Sequence, residues 1–178
     1  TETRHPMIQT GKIGVKKDGT ITALETKIII DGTSYFTHSG AVTNLDLGHF
    51  MALYRCENTN GEADIVYTNN PVSGAFRGFG NPQAMWALEQ RIDMAAEKIG
   101  MDPAEFRLKN HRRTGDPTWI PSIPIENCEM EKCSQLGTEK IGWGNKTGKK
   151  GEGTKRHGIG MAIMMHCSGT YPINLEHS

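Results

Sequence analysis

The sequence predicts an α+β fold: an N-terminal β-hairpin in a mixed or antiparallel sheet, packed by two consecutive helices at about 82–99 and 103–110. Three observations carry that expectation. Ile13 and Val15, then Ile21 and Ala23, alternate with polar neighbours on either side of Asp18-Gly19, a dipeptide that accepts the backbone angles of a tight hairpin turn. Met85, Leu88, Ile92, Ala95, Ala96 and Ile99 recur at helical spacing, giving one apolar stripe. Asp102-Pro103-Ala104-Glu105 then has the order of a helix start, with a capping carboxylate, proline at the first position and glutamate at the third.

In chain order, Lys12–Lys17 and Thr20–Asp31 read as the hairpin strands. Ile28-Ile29-Ile30 reads as the point where the second strand enters the interior. Residues 42–53 fit a short helix, with Leu45, Leu47, Phe50, Met51 and Leu53 on one broad face. Glu62–Thr68 reads as a third strand, and Asn69-Asn70-Pro71 ends it. The main helix is expected to start with Asn81 as cap and Pro82 at the first position, and to stop at Gly100. Residues 115–156 form a loop-rich segment broken by Pro117, Pro121 and Pro124, with room for one short helix near Met130–Ile141. Gly158–Cys167 is apolar enough for a final strand.

The bulk chemistry is neutral. Twenty Lys and Arg balance twenty Asp and Glu, so no global field recruits nucleic acid or an anionic membrane. The basic stretch 146–157 has no interleaved aromatic residues on which bases could stack, and reads as a solvated loop. Apolar runs are far too short to span a bilayer, and no apolar leader is visible. A cytoplasmic setting is therefore expected, with Cys56, Cys128, Cys133 and Cys167 as free thiols. Thr1 opens almost directly into strand-like sequence, which reads as a cut from a longer polypeptide.

The chemistry is concentrated in Gly74-Ala75-Phe76-Arg77-Gly78-Phe79-Gly80-Asn81-Pro82-Gln83. Glycines let the main chain approach another molecule closely. Arg77 contributes a forked cation, and the helix that follows favours an anion at its start. The residues alone leave two readings. In one, Phe76 and Phe79 plug the core and Arg77 pairs with an acid; in the other, the loop is an electropositive, backbone-lined wall for an anionic cofactor and a flat substrate.

The same ten residues resemble a segment of the xanthine dehydrogenase and aldehyde oxidase family of molybdenum hydroxylases. Arg4-His5-Pro6, the Asp18-Gly19 hairpin with Ile21-Thr22-Ala23-Leu24, and Met101-Asp102-Pro103-Ala104-Glu105-Phe106-Arg107 with Asn110 extend the resemblance. It implies that residues 1–178 are a single piece of the molybdopterin-binding region of a larger subunit. That subunit would hydroxylate an N-heterocycle or aldehyde with oxygen derived from water. Electrons would leave through iron–sulfur clusters to FAD on partner domains or subunits, and the remaining partners are the rest of the molybdenum subunit and a small aromatic or aldehyde substrate. The resemblance places Ala75, Phe76 and Arg77 on the cofactor side and Phe79 on the substrate side. Arg77 lies near molybdenum without being a side-chain ligand, and the pterin is in its simple or dinucleotide form. The family's catalytic glutamate has no counterpart here: Glu89, Glu97 and Glu105 belong to the helices. No catalytic residue is therefore expected in these residues, and by themselves they are expected to be inactive and to bind no cofactor.

Two positions narrow the branch. Xanthine-oxidising members carry an arginine nine residues before the tyrosine that Tyr54 resembles, where this chain has Leu45. Carbon monoxide dehydrogenases carry a copper-bearing cysteine where this chain has Gly78. Rival readings are a non-catalytic scaffold or assembly domain, and a phosphate-ligand-binding domain using the helix that starts at Asn81.

Overall fold

The structure, a computed structural model, describes residues 2–118, 120, 122–145 and 153–166. Strands β1 (Met7–Val15), β2 (Ile21–Thr33) and β3 (Thr59–Tyr67) form a mixed sheet in the order β1-β2-β3. β1 and β2 are the antiparallel hairpin, with Met7 opposite Ile30 and Ile13 opposite Leu24. Gly19 takes the left-handed turn position at φ 85°, and the Asp18 carboxylate accepts from Thr20 N at 3.0 Å. β2 and β3 run parallel, because helix α1 (Ser39–Ala52) carries the chain back across the sheet between them.

The sheet has one covered face. Leu24, Thr26, Ile28 and Ile30 of β2 are buried, whereas Ile29 between them is 42% exposed. The apolar run therefore alternates like a half-covered antiparallel strand rather than passing into an interior buried on both sides. Tyr67 ends β3 exposed, while Ala63 and Ile65 turn inward.

Helix α2 (Asn81–Ile99) buries the expected stripe of Met85, Leu88, Ile92, Ala95 and Ala96, with Ile99 packed at its edge. Each large apolar side chain removed from water contributes roughly 1.5–3 kcal/mol, so this stripe dominates the core with Phe50, Leu53 and Phe106. Gly100 ends the helix in the left-handed conformation, its N–H bonding to Ala96 O and Glu97 O. Helix α3 (Pro103–Asn110) starts on the Asp102 cap, whose side chain accepts from Ala104 N and Glu105 N. Helix α4 (Met130–Lys140) lies within the loop-rich segment, where it was expected.

Two expectations fail. The cap of α2 is Gly80, at φ 93°, and Asn81 is the first helical residue. Asn81 spends its amide on Met165 O and His166 Nδ1 instead of on the helix N-terminus. Residues 158–166 form no strand; Cys167 lies outside the described residues. A strand needs a ladder partner, and this segment instead buries Ile163 in the core around α2, its N–H donating to Glu89 Oε2 at 2.9 Å. Cys56, Cys128 and Cys133 are free thiols. No helix among the described residues is long and apolar enough to cross a membrane.

Candidate functional site

Residues 71–80 connect β3 to α2, and the chain's first residues run alongside them. Thr3 N donates to Val72 O and Gly74 N to Thr3 O, each at 3.1 Å. That pairing brings Arg4 onto the loop: its guanidinium donates to Arg77 O at 2.7 Å and Gln83 Oε1 at 3.1 Å, and lies 4.6 Å from the centre of the Phe76 ring. Gln83 Nε2 reaches back to His5 O at 3.4 Å. Two motifs about seventy residues apart in sequence thus form one surface.

The turn itself is tightly wound. Gly78, Phe79 and Gly80 have φ values of 88°, 45° and 93° in succession. Phe79 N donates to Phe76 O at 2.8 Å and Asn81 N to Gly78 O at 3.0 Å. A left-handed phenylalanine is strained and persists only where its surroundings hold it. Here Phe79 is half-buried against Ile28, Ile30 and Val42, and its ring meets His38 edge-on at 5.9 Å. Phe76 and Arg77 are exposed, as is Ala75. Of the two phenylalanines, Phe79 leans toward the core and Phe76 stands out from it. Arg77 has no acidic partner among the described residues. Leu45 is half-buried on α1, and Gly78 sits against the Pro82 ring.

Ala75 N donates to Glu2 Oε2 at 3.0 Å, and a side chain at Gly74 would collide with the same carboxylate. The Ala75 N–H thus bonds a carboxylate, and the exposed Arg77 guanidinium lies two residues further on, without an acidic partner among the described residues. A backbone donor and a cation of this kind are chemically compatible with an anionic, oxygen-rich group such as the phosphate of a pterin cofactor. The start of α2 is less receptive: Asn81 N bonds to Gly78 O, Pro82 has no N–H, and Gln83 N and Ala84 N both bond to Gly80 O. Its first-turn donors are spent within the loop, which argues against a phosphate seat at Asn81.

Two buried polar groups behind the loop were not anticipated as partners. Glu89 accepts from Tyr54 Oη at 2.5 Å and Arg107 Nε at 2.8 Å, while Arg107 also bonds Asp93 at 2.7 Å. Burial, followed by the Glu89 charge, pushes the Tyr54 phenol well above its ordinary range. A carboxylate inside the apolar stripe of α2 was the available signal, but its partners come from α1's C-terminal flank and α3.

The other group is Asp46, fully buried on α1, which accepts from Gln9 Nε2 at 2.8 Å. Asp46 Oδ1 and Gln9 Oε1 have no hydrogen-bond partner among the described residues. Burial raises the Asp46 carboxyl to about 7. Between about pH 4 and 7 the unfolded chain ionises here and the folded chain does not, so stability falls as pH rises through that window and levels off above it. Asp46→Asn, which keeps an acceptor for Gln9 and adds a donor, is expected to stabilise by roughly 2 kcal/mol at pH 8 and to change little at pH 4. Urea denaturation at the two pH values checks this; equal effects at both would refute the buried-acid account.

Comparison with known proteins agrees with the loop's chemistry. Residues 1–111 match the family "Molybdopterin cofactor-binding domain". The chain is 31% identical over 179 residues to the xanthine dehydrogenase molybdenum-binding subunit of Escherichia coli O157:H7, covering 99% of this chain and 24% of that protein. It is 40% identical over 145 residues to the nicotinate dehydrogenase large molybdopterin subunit of Eubacterium barkeri, covering 79% of this chain and 34% of that protein. Among solved structures, the aldehyde oxidoreductase from Desulfovibrio gigas superposes with a TM-score of 0.77 at 32% identity, over 86% of this chain and 17% of that one. The chain therefore spans about a quarter of the length of the first of these relatives. With the loop, its flanking strand and helix, and the matched residues in agreement, the chain belongs to the molybdopterin cofactor-binding domain family and is similar to part of the xanthine dehydrogenase molybdenum-binding subunit and of aldehyde oxidoreductase.

Proposed function

We propose that this chain supplies one wall of the molybdenum and substrate site of an oxidoreductase that hydroxylates an N-heterocyclic or aldehyde substrate with water-derived oxygen. The observation that supports it most is the exposed 75–77 segment, where the Ala75 N–H holds a carboxylate and Arg77 has no acidic partner among the described residues. Molybdopterin, when bound, supplies the two-electron redox chemistry. Ala75, Phe76 and Arg77 would hold it, through a backbone donor and a cation near molybdenum rather than through a metal ligand. Phe79, half-buried in the same turn, would be the residue that meets an aromatic substrate. Leu45 in place of an arginine on α1 favours substrates other than purines. Electrons would pass to iron–sulfur and FAD partners, with the rest of the molybdenum subunit completing the site.

A scaffold role has one observation in its favour. Trp86 and Met94 on the outer side of α2 are 75% and 67% exposed and line an open groove of about 550 Å³ with Arg4, Met7 and Arg91. Contacts there are compatible with the enzymatic reading, since a wall must dock against its neighbours. Of the other flexible side chains, Met85 is buried and Met51 and Met101 pack on the core.

The test uses the full-length subunit with its partners. Arg77→Ala is expected to lower the molybdenum content of the purified enzyme. Phe79→Ala is expected to keep the fold and the metal while lowering kcat/KM for an aromatic aldehyde by about tenfold, the scale of a lost ring contact. Normal metal content and normal kinetics in both variants would overturn the assignment.

A further inference from the structure

Helix α2 carries an outer ridge that the core does not use. Its stripe of Met85, Leu88 and Ile92 is buried, and the opposite side of a surface helix ordinarily carries charge. Here Pro82, Trp86, Gln90 and Met94, each four residues from the next, line a groove that Met7 and Gln9 of β1 also line. Trp86 and Met94 are the exposed large apolar side chains of that helix.

The same groove holds a cation without a counter-charge. Arg91 is half-buried; its Nη1 donates to Ala87 O at 2.8 Å and its Nη2 to Gln9 O at 3.1 Å, and the guanidinium lies 5.8 Å from the centre of the Phe50 ring. Strand β1 makes room for it at Gly11, where an added Cβ would come within 3.3 Å of the guanidinium. Arg4, which also lines the groove, donates to Arg77 O and Gln83 Oε1. All of these acceptors are neutral. Among the described residues no ion pair includes Arg4 or Arg91, and no Asp or Glu lines the groove. Burial holds Arg91 below the usual range of an arginine, with no carboxylate to offset it. A guanidinium presents a fork of N–H donors, and single bonds to two carbonyls do not fill it.

An uncompensated positive charge therefore stands beside an exposed indole and thioether. Trp, Arg and Met are the side chains that concentrate at the centres of protein–protein contacts, and a carboxylate is the bidentate partner of a guanidinium. Size decides between occupants. A groove of about 550 Å³ has room for a few side chains, whereas a free-standing interface engages roughly 20–30 residues a side. A contact this small holds when both halves belong to one polypeptide, because the tether supplies effective concentration in place of area.

We propose that this groove is the docking site for a segment of the same molybdenum subunit lying outside residues 1–178, which sets an Asp or Glu side chain against Arg91 and an apolar side chain against Trp86 and Met94. The proposal rests on the functional reading above, in which the chain is one wall within a larger subunit, and it names the chemistry of the neighbour that reading leaves open. The acid neutralises Arg91 and fixes the register of the wall, while the apolar contact removes the indole from water.

The experiment places the photoreactive p-benzoylphenylalanine at position 86, in place of Trp86, in the full-length enzyme with its partners, and identifies the crosslinked peptide by mass spectrometry. The expected peptide comes from the same subunit, outside residues 1–178, and contains an Asp or Glu close to an apolar residue. Arg91→Glu is expected to lower its yield at least fivefold, and Arg91→Lys, which keeps the charge but not the fork, to lower it less. Reversing the identified acid to Arg is expected to restore the yield in Arg91→Glu. A peptide from an iron–sulfur or FAD partner, one from a second copy of this chain, a peptide without an acid, or no crosslink at all would overturn the proposal. Equal yields in the parent and Arg91→Glu would do the same. Molybdenum content of the unsubstituted enzyme is measured in parallel: its absence would strike at the enzymatic reading, while the crosslink alone decides what fills the groove.

Discussion

Arg107→Met is expected to cost the protein about 3–5 kcal/mol, the penalty for leaving a buried charge without its partner. The Arg107 side chain is fully buried, and its guanidinium holds Glu89, itself nearly buried, at 2.8 Å. Removing it leaves the Glu89 carboxylate with Tyr54 and the Ile163 N–H as its donors among the described residues. For a chain of this size the midpoint of thermal unfolding should fall by roughly 10 °C. Tyr54→Phe, which removes one donor and leaves the ion pair, should cost only about 1 kcal/mol. Because Ile163 hangs from the same carboxylate, Glu89→Leu should also free residues 157–166 to limited proteolysis before global unfolding. Denaturant titration of the three variants decides the matter: an Arg107→Met protein within 1 kcal/mol of the parent would mean that solvent reaches Glu89 and the network is ornamental.

The second large effect is expected at Gly80. An added Cβ there would lie 2.4 Å from Val42 O and 3.1 Å from Asp46 N, and φ is 93°. The main chain of the loop presses directly on the main chain of α1, and neither backbone can step aside as a flexible side chain could. Gly80→Ala should therefore combine a left-handed penalty of about 1–2 kcal/mol with a displacement of the loop from the helix. Gly100→Ala is the control. It shares the left-handed backbone, at φ 73°, but a Cβ there meets nothing within 4 Å, so only the conformational penalty applies. In the full-length enzyme, Gly80→Ala should lose bound molybdenum as well as stability, and Gly100→Ala should lose stability alone. Equal stability losses with full molybdenum content in both would show that the loop tolerates being lifted from α1.

Helices and turns were legible because their signals are local. Gly100 stops α2 and Asp102 caps α3 through bonds spanning only a few residues, so composition and spacing suffice. Gly19 is set by the hairpin turn in the same way. Strand limits shifted by several residues at β1, from Lys12–Lys17 to Met7–Val15, because a strand ends where its ladder partner ends and β2 continues to Thr33. The final strand expected at Gly158–Cys167 failed for the same reason: its residues are apolar enough, but their described neighbours are a helix and a carboxylate rather than a strand edge.

The sequence by itself determined the α+β class and the two consecutive helices, which rest on contacts between near neighbours, while the loop at residues 74–83 was marked only by its resemblance to a family. Only the tertiary structure decided that Arg4 lies over Phe76, that Glu2 seats its carboxylate on Ala75, and that His38 meets Phe79. It also decided that Glu89, which the helical pattern marks only as a misplaced acid, is the centre of a buried network with Tyr54 and Arg107. These contacts join residues from 18 to 73 positions apart. Their formation depends on how the parallel crossover folds α1 over the sheet and on the single covered face that results, and no periodicity in the chain encodes that distance.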